Sequence, residues 1–489
     1  MKKIKLILFC IVCTQAALLA QPVKFRKVIG NAGYDFGYYA QQDHDKGYML
    51  IGSTSSFGES ADMYAVKTDS MGIPYLHKSF GGISVEKGLS VKRTSDNGFI
   101  LLGYTNSTGA GGYDIYMVKI DSAFGTQWEK TYGGADWEFG NCVQQTSDGG
   151  YILCGSTFSY GYGNQDYYLI KTNATGDTLW TKTYGGLNDD VAKSVIQTSD
   201  GGYAVTGYTK SMGDANGDFY TIKTDSMGDT LWTNKFGGAG IDLANGIVES
   251  MSGDYFVAGE NASLIPSHGA EATVLKLSAT GAYVNSNTFG GTGTDYDGYN
   301  YISEDAAGKI AMAGTTNSFG VNGDVLMVIL YSDLSFFNAT TFGSLENEYG
   351  YSIEPTADGC YIICGSTNSY NNGLDDIYLI KTDSMGFSGS TGSETFYVTG
   401  IDDVAAAAES KFAIYPNPAG NSIILSMDTD LQGEEMNVSI TDMLGRQTMA
   451  LTVSGTNTVI NLESLKDGIY LVTVKNESIS SAKKLIIHH

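Results

Sequence analysis

Along most of the chain, apolar and polar residues alternate with a period of two, in short runs fenced by Gly, Asp, Asn and Ser. Such runs predict half-buried β-strands. The clearest stretch, 185–236, holds four of them, at 192–197, 203–207, 218–223 and 230–236. Each is rich in Val, Ile, Tyr, Thr or Trp, which favour a pleated, packed surface. Asp200-Gly201-Gly202 and Thr224-Asp225-Ser226-Met227-Gly228 separate the runs and supply residues that tolerate tight turns. No run keeps a 3.6-residue period over helical length, so the chain predicts an all-β fold.

This stretch is written seven times. One landmark is a large apolar residue with Gly four places on: Tyr48/Gly52, Phe99/Gly103, Tyr151/Gly155, Tyr203/Gly207, Tyr255/Gly259, Ile310/Gly314 and Tyr361/Gly365. A second is an acid with Lys five places on, starting at Asp62, Asp114, Asp166, Asp218, Glu271, Asp324 and Asp376; only the sixth copy breaks it, with Ile329. A period of about fifty residues marks stacked or ring-closed units. Four antiparallel strands in each of seven copies point to a β-propeller. The phase of the array strengthens this. Residues 23–29 match the fourth strand of the repeat, and the last copy stops after its third strand near Gly386. The leading strand is therefore predicted to complete the last blade and close the ring, leaving no loose edge. An open solenoid would need capping repeats instead.

A feature present in every copy is expected to build the blade. The repeated Asp is read as an acceptor for local backbone N–H groups. The Lys after it is read as a solvated side chain on the opposite face, and each Gly-Gly as a close inter-blade crossing. Trp180 and Trp232 recur at one strand position and are read as structural. Function is expected elsewhere. The first-to-second and third-to-fourth turns are short and uniform, whereas the second-to-third and inter-blade loops are longer, vary, and fall on the opposite face. They carry Phe57, Trp137, Tyr160, Tyr162, Phe319 and Tyr370 among Gly, Ser and Asn. Aromatic faces beside small polar groups suit sugar stacking or protein contact.

Composition narrows the partners. A formal net charge of −24 excludes nucleic acid, whose phosphates demand a basic surface. Asp214-x-Asn216-x-Asp218 hints at a calcium loop, but Phe219 stands where the loop needs Gly and Asp225 where it needs Glu, so no metal is expected. The five His (His44, His77, His268, His488 and His489) form no zinc motif, and no Walker A or Gly-x-Ser-x-Gly element is present, so no cofactor is expected. Of six Cys, Cys10 and Cys13 lie in the leader; Cys142, Cys154, Cys360 and Cys364 are read as small buried apolar residues.

The domain boundaries follow. Residues 1–20, with Lys2, Lys3 and Lys5 before an apolar run, predict a signal peptide cleaved near Ala20. The propeller occupies 21–386. Residues 387–411 read as a linker, and 412–489 as a separate small β-sandwich. No later apolar run is long enough for a membrane-spanning helix.

The last segment carries ordered motifs: Tyr415-Pro416-Asn417-Pro418, Asp442-x-x-Gly445-Arg446, Gly468-x-Tyr470 and Lys483-Lys484. In these it resembles the type A C-terminal sorting domain of the Bacteroidetes type IX secretion system. The resemblance implies an Ig-like sandwich, export through the periplasm and across the outer membrane, and the secretion machinery and a sortase-like peptidase as partners. It also implies release, or attachment to a surface polysaccharide. The repeats, with Gly-Gly-x-x-x-Asp, Asp-Gly-Gly-Tyr and Gly-Ser-Thr elements, are similar to seven-bladed propeller repeats of bacterial extracellular proteins. The leading functional reading is a secreted or surface-attached, non-enzymatic binder of glycan or protein through the long-loop face. The alternatives are a polysaccharide hydrolase or lyase using channel carboxylates, and a structural surface protein without a specific ligand.

Overall fold

The computed structural model describes residues 23–397 except 58–59, 214, 266–268, 292–296, 320–321, 371–373 and 390–393, and 412–487 except 416–418, 428–434, 443–446, 455–456, 467 and 477–479. The predicted signal peptide, most of the predicted linker, and Pro416, Asn417, Pro418, Gly445 and Arg446 lie outside the described residues, as do Asp214 and His268.

Residues 23–397 form seven antiparallel sheets whose strands run in chain order from the inside out. The innermost strands are Asp35–Gln42, Glu86–Arg93, Glu138–Gln145, Asp190–Gln197, Asp242–Glu249, Asp297–Glu304 and Glu348–Pro355, and they open blades 1 to 7. Blade 4 continues with Tyr203–Thr209 and Asp218–Thr224, a residue or two longer than the alternation alone indicated, and Thr230–Phe236, as expected. The second and third strands are buried at nearly every position, because blades pack on both of their faces. The fourth strand alternates exposed and half-buried positions, as an outer strand should.

The ring closes as the phase offset predicted. Phe25–Gly30 pairs antiparallel with Asp376–Thr382, Phe25 opposite Lys381 and Ile29 opposite Ile377. Blade 7 then packs on blade 1: the Asp35 N–H donates to the Asp375 carbonyl at 2.8 Å, and Ala357 N–H to Gln42 Oε1 at 2.8 Å. One element was not anticipated. Glu394–Tyr397, within the segment read as linker, pairs parallel with Phe25–Gly30 as a fifth strand of this sheet. The outer edge of the closing strand presents unpaired backbone groups, and a short run of β-formers satisfies them.

In every blade the innermost strand carries a β-bulge at its fourth position, between Gly37 and Tyr39 in blade 1 and between Ala192 and Ser194 in blade 4. A bulge re-aims the extra side chain. Here it turns Tyr38, Leu89, Asn141, Lys193, Asn300 and their counterparts towards the central channel.

The C-terminal unit is a sandwich of two sheets over one core. Phe412–Tyr415, Ser422–Met427 and Asn457–Asn461 form one; Gln447–Val453, Met436–Asp442, Gly468–Lys475 and Ser480–Ile487 form the other. Leu425, Val438, Ile440, Val472 and Leu485 lie at its centre. Tyr470 is buried and its hydroxyl donates to the Lys466 carbonyl at 2.9 Å. Asp442 lies opposite Tyr470, Lys484 opposite Leu471, and the Lys483 ammonium sits 5.7 Å from the Phe412 ring centre. Tyr415 ends its strand exposed.

Candidate functional site

The repeated acid–Lys pair proves structural in a way its pattern did not reveal. The Lys is not solvated. Lys119, Lys171, Lys223 and Lys381 are buried, and their ammonium groups reach Asp96, Asp148, Asp200 and Asp358 of the Asp-Gly turn at 2.8–2.9 Å. Lys67 does the same to Asp43 at 2.6 Å. The apolar stem fills the space between strands while the tip meets the turn carboxylate. Although desolvation acts to raise them, the hydrogen bonds from Lys and Thr hold Asp148 and Asp200 at about 2. In blade 6, where Ile329 replaces the Lys, the Tyr361 hydroxyl donates to Asp305 at 2.6 Å instead.

The repeated Asp accepts local backbone N–H groups as expected, for example from Ala110 to Asp114 and from Tyr162 to Asp166. It also meets a second carboxylate. At each junction the first residue of the next innermost strand is acidic: Asp35, Glu86, Glu138, Asp190, Asp242, Asp297 and Glu348. The two acids converge on the inter-blade Gly. A Cβ on Gly185 would lie 1.9 Å from Asp166 Oδ1 and 2.6 Å from Asp190 Oδ2. Desolvation, with the neighbouring Glu86, Asp190 or Glu348 adding to it, raises Asp62, Asp166 and Asp324 to about 6. The second acid is tied down by Thr and backbone donors, as at Glu138, which accepts from Thr157 at 2.6 Å and from Gly134 N–H at 2.7 Å. Among the described residues no group of three or more His, Cys, Asp or Glu is arranged to hold a metal ion. The four described Cys are buried free thiols, including Cys142 and Cys154, which face each other across a strand pair.

The channel holds a cavity of about 450 Å³, lined at its sides by Tyr38, Tyr351, Tyr104, Lys87, Asn141 and Lys193. Gln165 of a second-to-third-strand loop also lines it, as do the late residues Tyr104, Ser156 and Tyr208 of second strands, so it opens on the long-loop face. Its deep end carries Tyr39 and Tyr301. These belong to a cluster drawn from blades 1, 2, 6 and 7: Lys92 pairs with Glu354 at 2.7 Å, and Tyr39 hydrogen-bonds Tyr301 at 2.8 Å and also Glu354. Desolvation, with Glu354 beside it, pushes the Tyr39 hydroxyl well up, so it stays protonated as a donor. Asn141, Asn245 and Asn300 each donate an amide N–H to a carbonyl of the next blade, at 2.7, 3.0 and 2.7 Å. The channel carboxylates required by the hydrolase alternative are not in this lining. Most acids sit in the junctions and turns; Glu260 is buried in the second strand of blade 5, and Glu354 lies beneath the cavity in its ion pair.

The six aromatics read from the sequence divide. Trp137, Tyr160 and Tyr162 share one sector, on the junction before blade 3 and on that blade's second-to-third loop. Tyr162 is 79% exposed and Trp137 52%. Trp137 stands edge-on to Phe158, 6.2 Å between ring centres, and both line a cleft with Asp136, Gly163 and Asn164. Phe158, exposed in the same loop, was missed although its loop was singled out. Phe319 is exposed in blade 6. Phe57 and Tyr370 turn inward: Phe57 packs on Tyr64 and His77, and Tyr370 on Tyr378 at 5.9 Å. Lys87 and Lys193 were missed too. For Lys193 the available signal was the fourth position of the innermost strand, which varies between Tyr, Leu, Asn and Lys among the copies; Lys87 stands at the second position, where the other copies have Phe36, Phe139, Val191, Leu243, Gly298 and Tyr349.

Residues 413–488 match the family described as the secretion system C-terminal sorting domain. The C-terminal unit is a type IX secretion sorting domain. It is fused to a β-propeller, and the sorting domain implies export by the type IX machinery to the cell surface or beyond. Among curated proteins, the regulatory protein FlaEY of Caulobacter vibrioides is 30% identical over 204 residues, 35% of this chain; the chain spans only 21% of that relative. Among solved structures, PorZ, a surface component of the type IX system of Porphyromonas gingivalis, aligns over 94% of this chain and 60% of its own, with 13% identity and a TM-score of 0.43. The Pan2 WD40 domain of Neurospora crassa aligns over 75% and 98%, with 8% identity and a TM-score of 0.43. The fold assignment rests on the strand pairing itself. No helix among the described residues is long and apolar enough to cross a membrane.

Proposed function

We propose that this exported propeller is a binding protein that engages glycan or protein through its long-loop face. The observation that carries the reading is the sector formed by Trp137, Phe158, Tyr160 and Tyr162, with its adjoining cleft. Large aromatic faces left in water cost hydration free energy that a stacked ligand recovers. The fixed blades hold the loops, so little ordering entropy is lost on binding. Screening the mature chain on glycan arrays and against pools of surface proteins tests this. A ligand whose affinity falls at least about tenfold in Trp137→Ala or Tyr162→Ala is expected, as for aromatic anchors at other interfaces. Undiminished binding in both variants would reject this sector as the site.

A further inference from the structure

We infer that the cavity at the mouth of the central channel is a subsite for a terminal carboxylated sugar, with Lys87 and Lys193 as counter-charges and the surrounding Tyr and Asn side chains as its cradle. This rests on the proposal that the long-loop face binds a ligand, and it names the ligand's chemistry.

Elsewhere the buried Lys67, Lys119, Lys171, Lys223 and Lys381 and the half-buried Lys92 each have a carboxylate within ion-pair distance. Lys87 and Lys193 line the cavity, and neither forms such a pair among the described residues. Burial lowers both amines, and for Lys87 the nearby Lys193 charge lowers it further. Cys154 and then Glu260 act in the opposite direction on Lys193 without closing an ion pair. A partly desolvated cation without an ion-pair counter-charge is costly, and an anion entering the cavity relieves that cost. In a chain of net charge −24, a carboxylate-free cavity with two ammonium groups is a local reversal of sign.

The shape and chemistry of the cavity suit a sugar. Tyr38 and Tyr351 lie 5.0 Å apart, Tyr104 and Phe139 also 5.0 Å, and the Lys87 ammonium sits 4.3 Å from the Tyr38 ring centre. Aromatic faces of this kind accept the C–H face of a sugar ring. The amide N–H groups of Asn141, Asn245 and Asn300 are tethered to the next blade, and among the described residues no donor reaches their oxygens, which suits sugar hydroxyls. The cavity offers no Arg fork and no helix N-terminus, the usual devices for phosphate. The Lys92–Glu354–Tyr39–Tyr301 cluster closes its deep end, so it takes a chain end and cannot thread a polymer.

The test is calorimetric titration of the mature chain with a glucuronate-terminated disaccharide, its glucose-terminated counterpart and an Asp-rich peptide. The acidic sugar is expected to bind at least about tenfold tighter than the neutral one, and more weakly as salt rises. Lys87→Met and Lys193→Met are each expected to lose about tenfold for the acidic sugar alone, and Lys193→Arg to retain it. Thermal melts of Lys193→Met and Lys193→Gln should match or exceed the parent, since a partnerless ammonium is removed. Equal affinity for both sugars, indifference to both Met variants, or tighter binding of the peptide would overturn the inference. If the array ligand is lost in Trp137→Ala while the Lys variants change nothing, the subsite falls and the long-loop proposal stands. If the Lys variants abolish acidic-sugar binding and the Trp137 and Tyr162 variants do not, the subsite stands and the aromatic sector falls.

Discussion

Replacing Asp166 by Asn should stabilise the propeller at pH 8 and leave it unchanged near pH 3. Asp166 is buried, faces Asp190 across Gly185, and accepts the Tyr162 N–H at 2.7 Å. An Asn carbonyl keeps that acceptor and removes the charge. Burial, with Asp190 adding to it, lifts Asp166 from 3.8 to about 6 in the folded protein. The folded state therefore binds more protons than the unfolded chain between those values, and stability falls as pH rises through the window. Below pH 3.8 the contribution is fully present; above about 6 it is gone. A shift of about two units corresponds to about 3 kcal/mol at most, and solvent screening of the carboxylates reduces this to about 1–2 kcal/mol. For a ring of about 360 residues, unfolding entropy of about 2 cal/mol/K per residue converts this to a Tm rise of about 1–3 °C. Asp62→Asn and Asp324→Asn sit at separate junctions, so the triple variant should gain roughly three times as much. Scanning calorimetry at the two pH values reads the difference. A loss of stability at pH 8, or the same change at both pH values, would show that the junction charge is neutralised by some partner and refute the argument.

Two further variants probe the blade lock and the channel cluster. Lys223→Ala removes a 3%-exposed side chain that pairs with Asp200 at 2.8 Å and donates to the Thr224 carbonyl at 2.8 Å, and should cost about 1–3 kcal/mol in urea unfolding. Lys182→Ala, at an exposed pair 2.9 Å from Asp229, should cost under about 1 kcal/mol; equal losses would contradict a special role for the buried set. Glu354→Ala strands Lys92 without its counter-charge and should cost about 3–5 kcal/mol, most of it recovered in the Lys92→Met/Glu354→Leu double variant. A single variant as stable as the parent would mean the cluster does not hold the four blades together.

The sequence by itself determined the architecture. The seven-fold landmarks, the period-two alternation and the stray fourth strand at 23–29 are local or periodic features, and each strand needs only its neighbour in the chain to pair. Closure followed because the one unmatched strand fitted the one incomplete blade. The ordered motifs from Tyr415 to Lys484 likewise disclosed the sorting domain. What only the tertiary structure decided is where side chains distant along the chain meet. The Lys after each Asp reads as polar and solvated until its turn Asp is folded over it. The junction acids are spaced along the chain like ordinary surface charge until Gly185 and its counterparts bring them face to face. Lys87 and Lys193 lie on different blades and share a cavity only because the ring brings the innermost strands to one axis, where Lys193 projects from its bulge and Lys87 stands two residues before the bulge of its own strand. Strand pairing is encoded within each repeat, whereas the chemistry of the channel arises between repeats, from residues about fifty or more positions apart whose proximity no local pattern records.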